Sequence, residues 1–196
     1  MVALGSGLSA QAQGQGTTVR LVRPAEPPTS GGPPFAVSVV VDNVVDLGAF
    51  EFDLTYDPAA LKFVDIQQGP FVGSSGREVR CLRPRTEQGS VRLTCLTLGA
   101  KPDGPNSSGE LAAVTFQPLA PGSSALRFAR AIVTDAPAQP LRAHAQDATI
   151  TISAATESGG GGFAWALWGP VIGIGALVLG AAAVSAAWWV RRPRSA

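Results

Sequence analysis

The feature that most narrows what this chain can be is the run from Phe163 to Val190, 28 residues without one charged or amide side chain. Coiled as a helix it is ~42 Å long against a hydrocarbon core of ~30 Å, so it can cross a bilayer with tilt or with its ends among the headgroups. A buried core helix of this length would need a large domain around it, and too little chain remains for one. Trp165 and Trp168 stand at one end of the run, Trp188 and Trp189 at the other, where amphipathic rings settle at the two headgroup levels. Arg191 and Arg192 follow directly, and positive flanks of a span stay cytoplasmic. The expectation is a single-pass protein of the cell membrane in contact with the lipid bilayer. Residues 163–190 span, residues 191–196 form a basic cytoplasmic tail, and the amino-terminal domain is extracellular.

Arg191, Arg192 and Arg194 leave 12 basic against 14 acidic residues upstream. A nearly neutral body lacks the concentrated basic footprint of nucleic-acid binders, and DNA and RNA are set aside as partners. At the amino end Ala10-Gln11-Ala12 fits the small-x-small pattern of a signal cleavage site. Residues 1–16 therefore read as the remnant of an export signal, without the basic start of a complete one, so translation could begin upstream of Met1. Residues 154–162 end in the stretch Ser158 to Gly162, whose Ser-Gly composition is that of a flexible tether.

Between these ends, residues 17–153 have the period of strands. Phe50, Phe52, Leu54 and Tyr56 alternate with Glu51, Asp53 and Thr55, which puts large apolar side chains on one face and polar ones on the other. Further strands are expected at 19–23, 35–41, 62–67, 78–83, 91–98, 111–116, 125–133 and 148–152, with turn-forming residues at 69–70, 102–106 and 121–124. About nine short strands, with no helix beyond a single turn at 58–61, specify an all-β sandwich.

Cys81 and Cys95 are the only cysteines and lie on the two arms of an expected hairpin. With the reversal centred on Gln88 they face each other, close enough to bridge, and outside the cytosol such a pair stays oxidised. Two cysteines and the single His144 do not make a zinc motif. A disulfide is favoured over two free thiols, and neither a metal nor another cofactor is expected. Alternation puts Arg83 and Arg85 on the face of the cysteines and Arg80 and Arg92 on the other, and leaves open which of the two faces outward.

The stretch from about Phe35 to Ser153 resembles a cohesin module. The resemblance rests on an alternating strand entering Leu54-Thr55-Tyr56-Asp57-Pro58, on Leu61 and Phe63 soon after, and on Gly109-Glu110-Leu111-Ala112-Ala113-Val114-Thr115-Phe116. The turn at Pro121-Gly122 and the final strand at 148–152 complete it. It implies a flattened jelly-roll β-sandwich, an architecture shared with carbohydrate-binding modules, one sheet face of which docks a dockerin, a small calcium-loaded helical module. Carried onto this chain, the strand with Ala49, Glu51 and Asp53 lies in the docking face, and the hairpin with Arg80 and Arg92 contributes beside it. The family's scaffolds usually string several modules together, whereas one module on a membrane helix resembles an anchor. Such an anchor would hold a dockerin-type or other extracellular protein at the cell surface, in polysaccharide degradation. The cysteine pair is not part of the family's pattern.

Charge points the same way. Residues 42–65 hold six acids against Lys62, and residues 77–92 hold five arginines against Glu78 and Glu87, so opposed patches are expected to orient a partner. An enzyme is not indicated, because one histidine and no nucleophile elbow assign no catalytic roles, and the acids lack the spacing of a calcium-binding loop. Direct polysaccharide binding is the alternative. It has little to stack on, since the chain before residue 163 holds no Trp, one Tyr and seven Phe, of which Tyr56 alternates with core residues and Phe71 lies in a loop. A structural or adhesive surface domain would leave no sequence mark of its own.

Overall fold

The computed structural model describes residues 16–156. The signal-like end, the Gly-rich tether from residue 157, the span with Trp165, Trp168, Trp188 and Trp189, and the tail with Arg191 and Arg192 lie outside the described residues. Among the described residues no helix is long and apolar enough to cross a membrane.

The chain forms β1 (Thr17–Val22), β2 (Phe35–Val44), β3 (Leu47–Thr55), β4 (Leu61–Gln68), β5 (Glu78–Cys81) and β6 (Arg85–Glu87). There follow β7 (Ser90–Leu98), β8 (Ser107–Pro118), β9 (Gly122–Asp135), β10 (Pro140–Leu141), β11 (Ala143–Gln146) and β12 (Ala148–Ile152). All nine expected strands are there. The three additional ones, β6, β10 and β11, have only 3, 2 and 4 residues, too few for a period of two to be visible.

One sheet has the order β11-β1-β2-β8-β4; the other has β10-β9-β3-β7-β5, with β12 added to β9 and β6 to β7. The β1–β11 pair is parallel and the other strand pairs are antiparallel. From β2 to β4 and again from β7 to β9, successive strands cross from one sheet to the other, so each sheet is paired from distant parts of the chain. Alternation decides what lies between them. On β3, Phe50, Phe52 and Leu54 are buried while Ala49, Glu51 and Asp53 point the other way. Val91, Leu93 and Cys95 of β7 join them inside, facing Val37, Val39 and Val41 of β2 and Val114 and Phe116 of β8.

Phe116 is fully buried and packs edge-on against Tyr56 at 5.1 Å and Phe63 at 6.5 Å between ring centres. Tyr56 directly follows β3, so its contact with Phe116 ties the two sheets together, and its interior place is the one alternation assigns. At 58–60 the backbone makes the single expected turn: Leu61 N–H donates to the Asp57 carbonyl at 2.9 Å, and the Asp57 carboxylate accepts from Ala59 N–H at 2.9 Å. A side-chain oxygen that takes up a free N–H in this way is what starts a helical turn after Asp.

Cys81 and Cys95 are bonded and stand directly opposite each other between β5 and β7. Just before β5, Arg77 is 6% exposed and its guanidinium donates to the carbonyls of Gly99 and Pro102. One of the five arginines expected in a surface patch is thus a buried tie for the loop after β7.

Candidate functional site

The outer face of the β10-β9-β3-β7-β5 sheet can be read as rows across the strands, since directly paired residues share a face. The row through Ala49 contains Arg80 of β5, Leu96 of β7 and Thr134 of β9. The next, through Glu51, contains Thr94 and Ile132. The row through Asp53 contains Arg85, Arg92 and Arg130, and the row through Thr55 contains Glu87, Ser90 and Arg127. All five proposed contact residues, Ala49, Glu51, Asp53, Arg80 and Arg92, therefore share this one face. Arg80 and Arg92 belong to the outward set of the hairpin, because Cys95 is fully buried.

Two one-residue slips enrich the face in arginine. Cys81 pairs with Cys95, yet Arg85 pairs with Arg92, so Leu82, Arg83 and Pro84 stand against two residues of β7. A slip of one residue reverses the facing of everything beyond it, and Arg85 moves from the cysteine face to the outer face. On the other flank of β3, Asp53 pairs with Arg130 but Leu54 pairs with Phe128. The extra residue, Ala129, lets Phe128 turn inward against Phe52, edge-on with centres 6.1 Å apart, and turns Arg127 outward. Without these slips, simple alternation would aim both Arg85 and Arg127 at the core, where an unpaired guanidinium is strongly disfavoured.

The acids of the face are largely committed. Asp53 accepts from Arg92 Nε and, at 2.7 Å, from Arg92 Nη2. That hydrogen bond, and then the charge of the same carboxylate, holds the Arg92 guanidinium above its usual range, with Glu51 and Glu87 adding to it. Glu51 accepts from Thr94 Oγ1 at 2.9 Å and from Arg130 Nη1 at 3.4 Å. Arg80 stands 3.7 Å from Glu78, both well exposed. Arg83 and Arg85 line, with Leu82, Glu51, Arg92 and Thr94, a depression of about 130 Å³. Apolar surface completes the face: Leu82 is 55% and Ile132 40% exposed, beside half-buried Leu96 and Leu98.

Two opposed charge patches, expected from the acidic and basic runs, do not form. Of the six acids, Asp42 is bonded to Arg20 on the other sheet, Asp46 accepts from Gly104 N–H, Asp57 caps its turn and Asp65 accepts from Gln67. Only Glu51 and Asp53 reach this face, where they interleave with arginines instead of opposing them. Arg85, which alternation puts on the face of the cysteines, belongs to this outer face, as do Arg127, Arg130 and Ile132, for which the sequence suggests no role.

Among the described residues no aromatic side chain is among the exposed large apolar ones. Phe71 packs against the core, over Gly109, where an added Cβ would lie 2.3 Å from the ring. No group of three potential metal ligands occurs among the described residues.

The family model of the cohesin domain matches residues 29–152. A non-cellulosomal cohesin from Archaeoglobus fulgidus is similar in structure, with 19% identity, TM-score 0.56, and coverage of 70% of this chain and 91% of that one. The sixth cohesin of scaffoldin B from Acetivibrio cellulolyticus, solved in complex with a dockerin, has 16% identity and TM-score 0.58 over 71% of this chain and 99% of that one. A cohesin from Clostridium thermocellum, also solved with a dockerin, has 12% identity and TM-score 0.56 over 70% and 92%. No curated protein matches the chain. At these identities the structural likeness speaks for the fold, and the family model speaks for kinship.

Proposed function

This chain belongs to the cohesin family, and we propose that it is a docking module that holds a dockerin-type protein against the outer face of its β10-β9-β3-β7-β5 sheet. The observation that carries the reading is that face: exposed Leu82 and Ile132 beside Leu96 and Ala49, ringed by arginines, on rigid paired strands. Two cohesins of the same fold were solved with dockerins bound, which favours a protein partner. The lack of an exposed aromatic platform among the described residues weighs against direct polysaccharide binding. The run 163–190, flanked by Trp and followed by Arg191 and Arg192, anchors the module in the cell membrane with its sandwich outside. The partner in this reading is an exported protein, held at the surface where polysaccharide is degraded.

Calorimetric titration of the full chain, kept in a non-ionic detergent, with calcium-loaded dockerin domains encoded in the same genome tests the docking. Ala49→Arg, at the centre of the face, should cost at least about 2 kcal/mol of binding, whereas Thr115→Arg on the opposite sheet should cost nothing measurable. Undiminished binding by Ala49→Arg, or binding that survives calcium chelation, overturns the reading. Protease added to intact cells should remove the sandwich and spare a tag placed after Ala196; loss of that tag in sealed cells overturns the orientation.

A further inference from the structure

We infer that the partner presents carboxylates to this face, seated at Arg83, Arg85 and Arg92; the inference rests on the docking reading and sharpens it. Like charges directly opposite each other on antiparallel strands destabilise a sheet, yet Arg85 stands directly opposite Arg92. Arg92 is compensated by Asp53. The side chains of Arg83 and Arg85 make no hydrogen bond or ion pair with any other described residue. The row through Asp53 holds three arginines and one acid, of which Asp53 meets Arg92 while Arg130 reaches Glu51 in the next row. Across the whole face Arg80, Arg83, Arg85, Arg92, Arg127 and Arg130 meet four carboxylates, and Glu51, Asp53 and Glu78 of those four are already in ion pairs.

Arg83, Arg85 and Arg92 together line one depression, which exposed Leu82 also borders. Glu51, the one carboxylate lining it, is taken up by Thr94 and Arg130. A guanidinium offers a planar fork of donors that matches a carboxylate two bonds at a time. Covering Arg83 and Arg85 with an apolar or basic surface would strip their water and return nothing, carbonyls would return hydrogen bonds without neutralising the charge, and a buried, unpaired charge is costly. Asp or Glu is therefore the best match that a partner sealing this end of the face can bring to it.

The probe is a phage library on a calcium-loaded, dockerin-type helical scaffold with its outward helix positions randomised, selected on the immobilised full chain. Binders should be enriched in Asp and Glu over the unselected library. They should weaken at least about tenfold when Arg83→Gln and Arg85→Gln are combined, while the melting temperature of that variant stays the same or rises because a like-charge contact is gone. Binders without acid enrichment, or with equal affinity for the double variant, overturn the inference and leave docking standing. A fall in melting temperature shows that the two arginines serve the fold, and overturns it as well. If no binder emerges, or if binders ignore Ala49→Arg, the docking reading falls and takes the inference with it.

Discussion

The two outer faces of the sandwich are built on the same alternation and treat charge differently. On the β11-β1-β2-β8-β4 sheet, Arg20 is held by two hydrogen bonds to Asp42, and Ser38 donates to Glu110 at 3.0 Å. Around them stand Thr18, Val40, Ala113, Thr115 and Gln117, neutral and half-buried. On this first face Arg20 and Asp42 close on each other, and what stays open is of both signs: Lys62, beside Gln117, has no ion pair among the described residues, and Glu110 is met by the Ser38 hydroxyl and no cation. On the other sheet, arginines outnumber acids, and the side chains of Arg83, Arg85 and Arg127 make no hydrogen bond or ion pair with another described residue. A face that leaves guanidiniums open is content only in water or against a surface of opposite sign.

The largest test asks whether this contrast is confined to the outside. Phe52 and Phe116 are fully buried, one from each sheet, and truncation of either to Ala should cost about 3–5 kcal/mol in urea unfolding. A loss well under that for one of them would mean that the two sheets do not share a single core. Next comes the bridge, which belongs to one sheet only. Cys81→Ala with Cys95→Ala should cost about 3 kcal/mol for a loop of roughly 15 residues. Amide exchange should quicken in β5 and β7 and not in β1 and β2; equal quickening in both sheets would contradict the assignment.

Smaller still is the closed pair of the quiet face. Arg20→Gln should cost less than about 1 kcal/mol, as befits a pair this open to solvent. Arg20 holds the Asp42 carboxyl below its ordinary value of 3.8, first by hydrogen bonding and then by charge, against an opposing effect of burial. A depressed carboxylate stabilises the fold above its unfolded value and loses that contribution as pH falls through the folded one. Asp42→Asn should therefore flatten the loss of stability below about pH 3.8 and change nothing at neutral pH beyond the lost pair. The smallest effect is expected for Arg127→Gln, within about 0.5 kcal/mol, since its side chain has no hydrogen-bond or ion-pair partner among the described residues to lose. A clear drop in stability would show a contact that its place on the outer face does not suggest.

These contrasts also mark how far the sequence could be read. Alternation from Ala49 to Tyr56 was unambiguous because large apolar and charged residues take strict turns there; the bridge between Cys81 and Cys95 was expected from a reversal centred on Gln88, whereas Glu87 pairs with Ser90 and it is the slip before Arg85 that sets the two cysteines opposite each other. Arg85 and Arg127 escaped because each lies beyond a one-residue slip, which inverts every facing inferred by counting. Pro84 was a visible warning for the first, as proline in a strand keeps to edges and bulges. For the second there was none: the pull of Phe128 toward Phe52 exists only once β3 and β9 are paired. The acidic run misled for a related reason. Six acids that are neighbours in sequence are parted by two turns and both sheets, so only Glu51 and Asp53 share a surface. Alternation alone also treats those two as freely reversible to Lys. With Arg92 and Arg130 bonded to them, reversal would set four cations side by side.

The bond between Cys81 and Cys95 has a mechanical side. A load hung from the outer face pulls on a sheet whose margin at β5 is four residues long, and a strand that short peels from its neighbour one rung at a time. The sulfur link makes one of those rungs covalent. It also withholds the chain between the two cysteines, 14 positions apart, from any extension, which at ~3.5 Å per residue removes roughly 45 Å of slack after allowing for the bridge itself. Under tension the oxidised module is a shorter rope than the reduced one, with a knot tied beside the face proposed for docking.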